Sequence, residues 1–165
     1  MTILQNFLQE LAQETLTTRK MLSRIPEDQY DYRPHEKSMR LQDLAGHIAE
    51  LPGWISMAFT TTEMDFATSP YSPPVWHTNA ELLELLEKSV AGAEEALKNA
   101  AEEDLSLEWI LRNGDQVLVK TTKAGLVRMA LSQTIHHRAQ LGVYLRLLNV
   151  PIPGSYGPSA DEQSF

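Results

Sequence analysis

The sequence predicts an all-α fold: a four-helix bundle with a long crossover loop and a small β-hairpin just before the last helix, in one domain spanning residues 1–165. Three observations carry this. Four stretches repeat apolar residues at spacings of three and four, a proline-rich segment joins the second to the third, and Asn113-Gly114 separates two β-prone runs. No internal repeat is present, and the count of helices leaves their topology open.

The first helix is read over Leu4–Leu22, with Leu4, Phe7, Leu8, Leu11, Thr15, Thr18 and Leu22 on one face. Ile25-Pro26 ends it, because a residue before proline disfavours the α region. A turn-rich connection over residues 26–38 follows. Ser38 is a plausible N-cap for a second helix through LQDLAGHIAELPGWISMAFTT, with Leu41, Leu44, Ala45, Ile48, Leu51 and Ile55 facing inward. Pro52 lacks a backbone donor and crowds the carbonyl of Ile48, so a kink is expected there.

Residues 65–78 form the crossover, in which Tyr71, Val75 and Trp76 are worth burying. Asn79 can cap the third helix, whose inward face is Leu82, Leu83, Leu86, Val90, Ala93 and Leu97. Residues 81–104 hold eight acids and two lysines, a solvated outer face. The hairpin is expected as a two-stranded ribbon that packs Trp109, with Ile110 or Leu111, onto the helices, since an isolated hairpin is marginal. The last helix runs from about Lys123 to Asn149 with Leu126, Ala130, Gln133, His137, Leu141, Tyr144 and Leu148 inward, and it contains no carboxylate. The tail after it has three prolines and two glycines and is irregular.

Composition excludes several functions. The 165 residues contain no cysteine, which removes disulfides, thiolate-ligated metals and protein-borne thiol catalysis. A net charge of −8 argues against nucleic acid as a partner, because that affinity comes from basic groups displacing counterions. No apolar run approaches the ~18 residues of a membrane span. The amino terminus lacks the basic-then-apolar pattern of a secretory signal. The expectation is a soluble, cytoplasmic protein. Gly-rich phosphate loops, HExxH, GxSxG and the paired carboxylates of di-iron bundles are all missing.

Five histidines remain as candidates. His35 and His77 fall in loops and read as surface or packing residues. His47 lies on or beside the buried stripe of the second helix and His137 on that of the fourth. Facing helices of a bundle can converge such side chains on a metal. The alternative for each is a core imidazole satisfied by a hydrogen bond. His136 and His137 differ by ~100° around the helix, which keeps both from pointing at one centre; His136 is left for the pocket mouth or a dimer interface.

The block SMRLQDLAGHIAEL (residues 38–51), the segment IHHRAQL (residues 135–141) and PIPGSYGPSADE in the tail together resemble the DinB-like (DinB/YfiT-type) family over essentially the whole chain. The resemblance implies a four-helix bundle, commonly a homodimer, with a divalent metal, zinc or nickel, held by three histidines. His47 takes the place of the second-helix ligand and His137 that of the later ligand on the last helix. The earlier position falls on Gln133, whose neutral carbonyl is a poorer donor than imidazole. Relatives with assigned activity include thiol S-transferases and a mycothiol-dependent maleylpyruvate isomerase, in which the cation stabilises the thiolate of a low-molecular-weight thiol. Two functions follow as expectations. One is a metal-dependent thiol S-transferase or related enzyme using His47, Gln133 and His137. The other is a metal-free stress-response binding module that keeps the bundle with a degenerate site. Metal binding by histidine would weaken below the ordinary imidazole pKa of ~6.5, since the ring must be neutral to ligate.

The remaining polar residues are read structurally first. Arg138 can order the fold through Asp161 or Glu162, or bind a substrate anion. Gln140 is open to a backbone hydrogen bond. Tyr156 packs over one end of the bundle or donates to a substrate. Trp54 is a core residue or lines the pocket beside His47. Glu50, three residues after His47, is within reach as a base or ligand-orienting partner if it turns inward.

Overall fold

The computed structural model describes residues 1–69, 72 and 74–163, which are mostly helical with one small sheet. In chain order the elements are α1 (Ile3–Leu22), α2 (Leu41–Glu50), α3 (Gly53–Thr60), β1 (Glu63–Asp65), α4 (Asn79–Asn99), β2 (Glu108–Asn113), β3 (Gln116–Thr122) and α5 (Lys123–Leu147). Both α4 and α5 pack against α1, α2 and α3. Among the described residues, no helix is long and apolar enough to cross a membrane.

The apolar stripe of α1 falls where its spacing places it: Leu4, Phe7, Leu11, Thr15, Thr18 and Leu22 are buried, while Leu8 is only partly so. Thr2 caps it, accepting from the Gln5 amide at 3.2 Å while the Gln5 side chain accepts from the Thr2 amide at 2.9 Å. Such a reciprocal pair satisfies two orphan donors of the first turn.

The second predicted helix is two helices. Pro52 cannot donate to the Ile48 carbonyl, and the chain answers with tighter bonds, Trp54 N–H to Leu51 C=O and Ile55 N–H to Pro52 C=O, both at 3.0 Å. The result is an interruption between α2 and α3 rather than a kink within one helix. Ser38 lies outside α2: the N-cap position is Arg40, whose guanidinium instead forks onto Asp43 in the first turn at 2.8 and 2.9 Å.

The cap of α4 is Thr78, one residue before Asn79, in a capping box with Glu81. Asn79 is used differently. Its side-chain amide donates to the Ile25 carbonyl at 2.7 Å and its oxygen accepts from the Tyr30 hydroxyl at 2.8 Å, tying the start of α4 to the α1–α2 connection. On α4, Leu82, Leu86, Val90, Ala93 and Leu97 are buried and Leu83 partly so. In the crossover Val75 is exposed, Trp76 is partly buried against the core, and Tyr71 lies outside the described residues.

Trp76 seats on α2 at Gly46, where an added Cβ would lie 2.3 Å from its Nε1. A Gly46→Ala substitution gains about 0.5–1 kcal/mol of helix propensity. That is less than the overpacking cost of about 1–3 kcal/mol. The variant should therefore unfold at lower urea and be cleaved faster in the crossover by a probe protease. A stability equal to or above wild type would show that the indole moves aside freely.

The sheet has three strands rather than two. β2 and β3 form the predicted antiparallel ribbon, and β1 adds to β2 in parallel, Glu63 to Asp65 against Ile110 to Arg112. The two-residue loop is Gly114-Asp115, one position later than Asn113-Gly114, with Gly114 at φ +58°. Asp65 closes this corner, its Oδ1 accepting from Gly114 N–H and Ala67 N–H at 2.9 Å, and these bonds hold its carboxyl below the ordinary range. Trp109 is fully buried, whereas Ile110 and Leu111 are only partly so.

Helix α5 stops two residues short of Asn149, which takes a left-handed φ of 59°. The amides of Asn149 and Val150 bond back to the carbonyls of Arg146 and Leu145, a Schellman end with asparagine in the usual glycine position. The tail then folds back and is pinned by charge. Arg24 bonds the Pro151 carbonyl and Glu162, and Arg146 bonds Asp161 at 2.5 Å. A cleft of about 590 Å³ separates tail from α5, lined by Ile135, Val143, Leu147, Ile152 and Tyr156 with Arg138 at its base.

Candidate metal centre

Helix α2 presents His47 and helix α5 presents His137, and their rings meet edge to face with centroids 4.8 Å apart. Two residues predicted to face one another from separate helices, 90 positions apart in sequence, are therefore in contact. Each ring is oriented by the residue three positions later on its own helix. His47 Nδ1 lies 2.8 Å from Glu50 Oε1, and His137 Nδ1 lies 2.7 Å from Gln140 Oε1. A carboxylate or amide oxygen only accepts, so Nδ1 carries the hydrogen and the lone pair of the neutral ring sits on Nε2. This is the second-sphere arrangement that fixes tautomer and ring direction for a metal-ligating histidine.

Both rings sit at the boundary of the core, with the His47 side chain 26% exposed. Burial holds His137 below the ordinary imidazole pKa of 6.5, opposed by the bond to Gln140 and reinforced by the charges His47 and His136 carry when protonated. His137 is thereby kept in the form that can ligate. Glu50 does turn toward His47, and Gln140 bonds a side chain, not the backbone.

Gln133 does not behave as predicted. It is exposed, and the buried line of α5 runs through Ala130, Thr134, Arg138 and Leu141 instead. That line is rotated from Gln133–His137 by one position, and so His137 is half-buried instead of facing the core. His136 is exposed, with its ring 4.9 Å from that of His137. Among the described residues, no three His, Cys, Asp or Glu side chains already converge as metal ligands would. Trp54 is partly buried and packs on the core, and His35 and His77 are exposed in their loops.

The group that α5 does bury is Arg138, 2% exposed. The tail acids were its expected partners; both are taken by other arginines, and Arg138 instead meets Glu14 of α1 at 2.6 Å. Glu14 was missed by sequence reading. Its signal is a carboxylate seven residues after Phe7 and seven before Met21, in phase with a buried face. Arg138 also donates to the Glu14 carbonyl, Thr18 Oγ1 and Tyr156 Oη, each at 3.1 Å, and the Tyr156 hydroxyl donates to Glu14 Oε1 at 2.7 Å. Burial, and then the bond to Glu14, raise the Tyr156 phenol above its ordinary pKa. Arg138 thus holds the tail to the helices, with its charge already matched within the fold.

The DinB family model matches residues 1–164. The chain belongs to the DinB family. Among curated relatives of this DinB family chain, the Bacillus subtilis protein YjoA is 29% identical over 129 residues, covering 78% of this chain and 80% of that protein. The crystal structure of B. subtilis YjoA superposes with a TM-score of 0.68 at 21% identity, covering 96% of this chain and 99% of that one. A DinB-like protein from Bacillus cereus gives 0.69 at 21% identity over 91% and 95% of the two chains. A structure from Exiguobacterium sibiricum gives 0.68 at 24% over 90% and 94%. These likenesses establish the DinB-like fold; they carry no ligand or reaction.

Proposed function

We propose that this protein binds one divalent transition-metal ion, zinc or nickel, between α2 and α5, with His47 and His137 as ligands, in the service of a thiol-dependent transfer or related reaction. In this reading α2 and α3 form one broken rod, and with α1, α4 and α5 they make a four-helix bundle whose core edge holds the site. The observation that carries it is the pair of contacting imidazoles from two helices, each with Nδ1 engaged and Nε2 left to coordinate. Imidazole nitrogen suits zinc and nickel, so the donor chemistry fits the ion.

When bound, such a cation lowers the pKa of a coordinated thiol and makes a nucleophile near neutral pH. The chain has no cysteine of its own, so the sulfur would come from a low-molecular-weight thiol. Glu50 and Gln140 would hold the rings at fixed angles, and the apolar flank of the core would limit water at one side of the site. Gln133, as the third ligand on α5, would have to turn in from an exposed position. The exposure of Gln133 is the observation that favours the second reading, a metal-free stress-response module. A homodimer belongs to the first reading and is checked by the solution mass.

The test is the metal content of untagged protein beside a His47→Ala variant. Near-stoichiometric zinc or nickel is expected in the wild type and little or none in the variant. Wild-type protein that is empty and also fails to take up added metal would overturn the proposal in favour of the metal-free module.

A further inference from the structure

Three protein ligands and one open position are the usual set for a catalytic zinc site. Two imidazoles are in place here, and the third position has two claimants. Gln133 offers an amide carbonyl, a weak donor to zinc or nickel. His136 offers a third imidazole, and its ring is already in contact with that of His137. The three rings form a row with His137 in the middle, 4.8 Å from His47 and 4.9 Å from His136, at interplanar angles of 75° and 68°.

The separation of ~100° between neighbours on a helix applies to Cβ directions. Two torsions beyond Cβ carry an imidazole sideways, and the 4.9 Å contact shows that the side chains of 136 and 137 lean together despite it. The members of the row differ in freedom. His47 and His137 are held at Nδ1 by Glu50 and Gln140, whereas His136 is exposed, where rotamer exchange is fast and disturbs no core packing. A row of rings becomes a cluster when one end member turns inward, and His136 is the end that can turn.

We infer that His136, and not Gln133, supplies the third protein ligand to a metal held by His47 and His137. The inference rests on the metal reading above and reassigns one of its ligands. It also accounts for the absence of a ready-made cluster among the described residues: the last donor joins upon binding.

The experiment titrates full-length protein with Zn²⁺ against a competing chelator and counts imidazole nitrogens by electron paramagnetic resonance after loading with Cu²⁺. His136→Ala and Gln133→Ala are compared with wild type, and circular dichroism checks that each folds. Loss of His136 should weaken Zn²⁺ binding at least about tenfold, the scale on which even outer-sphere partners act. It should also lower the nitrogen count from three to two, while Gln133→Ala changes neither. Weakening by Gln133→Ala but not by His136→Ala would overturn the assignment and leave the metal reading intact. So would a count of two in both wild type and His136→Ala. A wild type that binds neither ion would remove both.

Discussion

Arg138→Ala should lower the unfolding free energy by about 3–5 kcal/mol, the cost of leaving a buried charge without its partner. Glu14 is 5% exposed, and its Oε2 faces Arg138 Nη2 at 2.6 Å as a charge contact off the hydrogen-bond axis. Truncating the arginine strands that carboxylate and leaves the Thr18 hydroxyl, the Glu14 carbonyl and Tyr156 each short of one donor. For a chain of this length 1 kcal/mol corresponds to about 2–4 °C, so the midpoint should fall by roughly 6–20 °C. Removing both charges together is another matter. A double Glu14→Leu, Arg138→Met variant avoids the orphaned ion and should recover most of the loss, since apolar replacements of buried pairs are often neutral or better. Urea titrations with unchanged slope would read both results. An Arg138→Ala variant within about 0.5 kcal/mol of wild type would place it with surface substitutions and contradict the burial argument.

The second large effect is expected at Trp109. This side chain is fully buried and is the sheet's deepest attachment to the helices, with Nε1 donating to Thr61 Oγ1 at 3.0 Å. Trp109→Ala should cost about 3–5 kcal/mol, combining lost apolar burial with the cavity left behind. Thr61→Val keeps the shape but removes a hydroxyl that accepts from the indole and donates to the Met57 carbonyl at 2.8 Å, so it leaves the indole N–H unpaired and should cost about 1–3 kcal/mol. If Trp109→Ala cost no more than Thr61→Val, burial of the ring would not be what anchors the sheet.

These two positions also show what could be read from sequence and what could not. Trp109 was legible because a hairpin too small to stand alone must bury its largest residue. The stripes of α1 and α4 were legible because their apolar residues occupy one face. In α5 apolar groups occur around much of the circumference, including exposed Val143 and Leu147, and two phases fit nearly equally well. What decides the phase is Glu14, which draws Arg138 inward and so turns Gln133 out, and that pairing spans 124 positions. Strand β1 escaped notice for a different reason. Three residues show no alternation, and their structure is imposed by β2. The meeting of His47 with His137 was foreseen because each lay next to a stripe that had to face the other. The lean of His136 was not, because helix geometry constrains Cβ and not the ring.

The Glu14 pairing bears on how the protein is made. A ribosome adding about 5–20 residues per second needs roughly 6–25 s to go from position 14 to position 138. Throughout that interval α1 exposes a carboxylate where its finished packing requires a matched charge, and Tyr156 arrives later still. α1 can coil early, but its inner face cannot be completed until the last helix emerges. The nascent chain should therefore remain loosely packed until residues 138 and 156 have emerged, and then close cooperatively around that pairing.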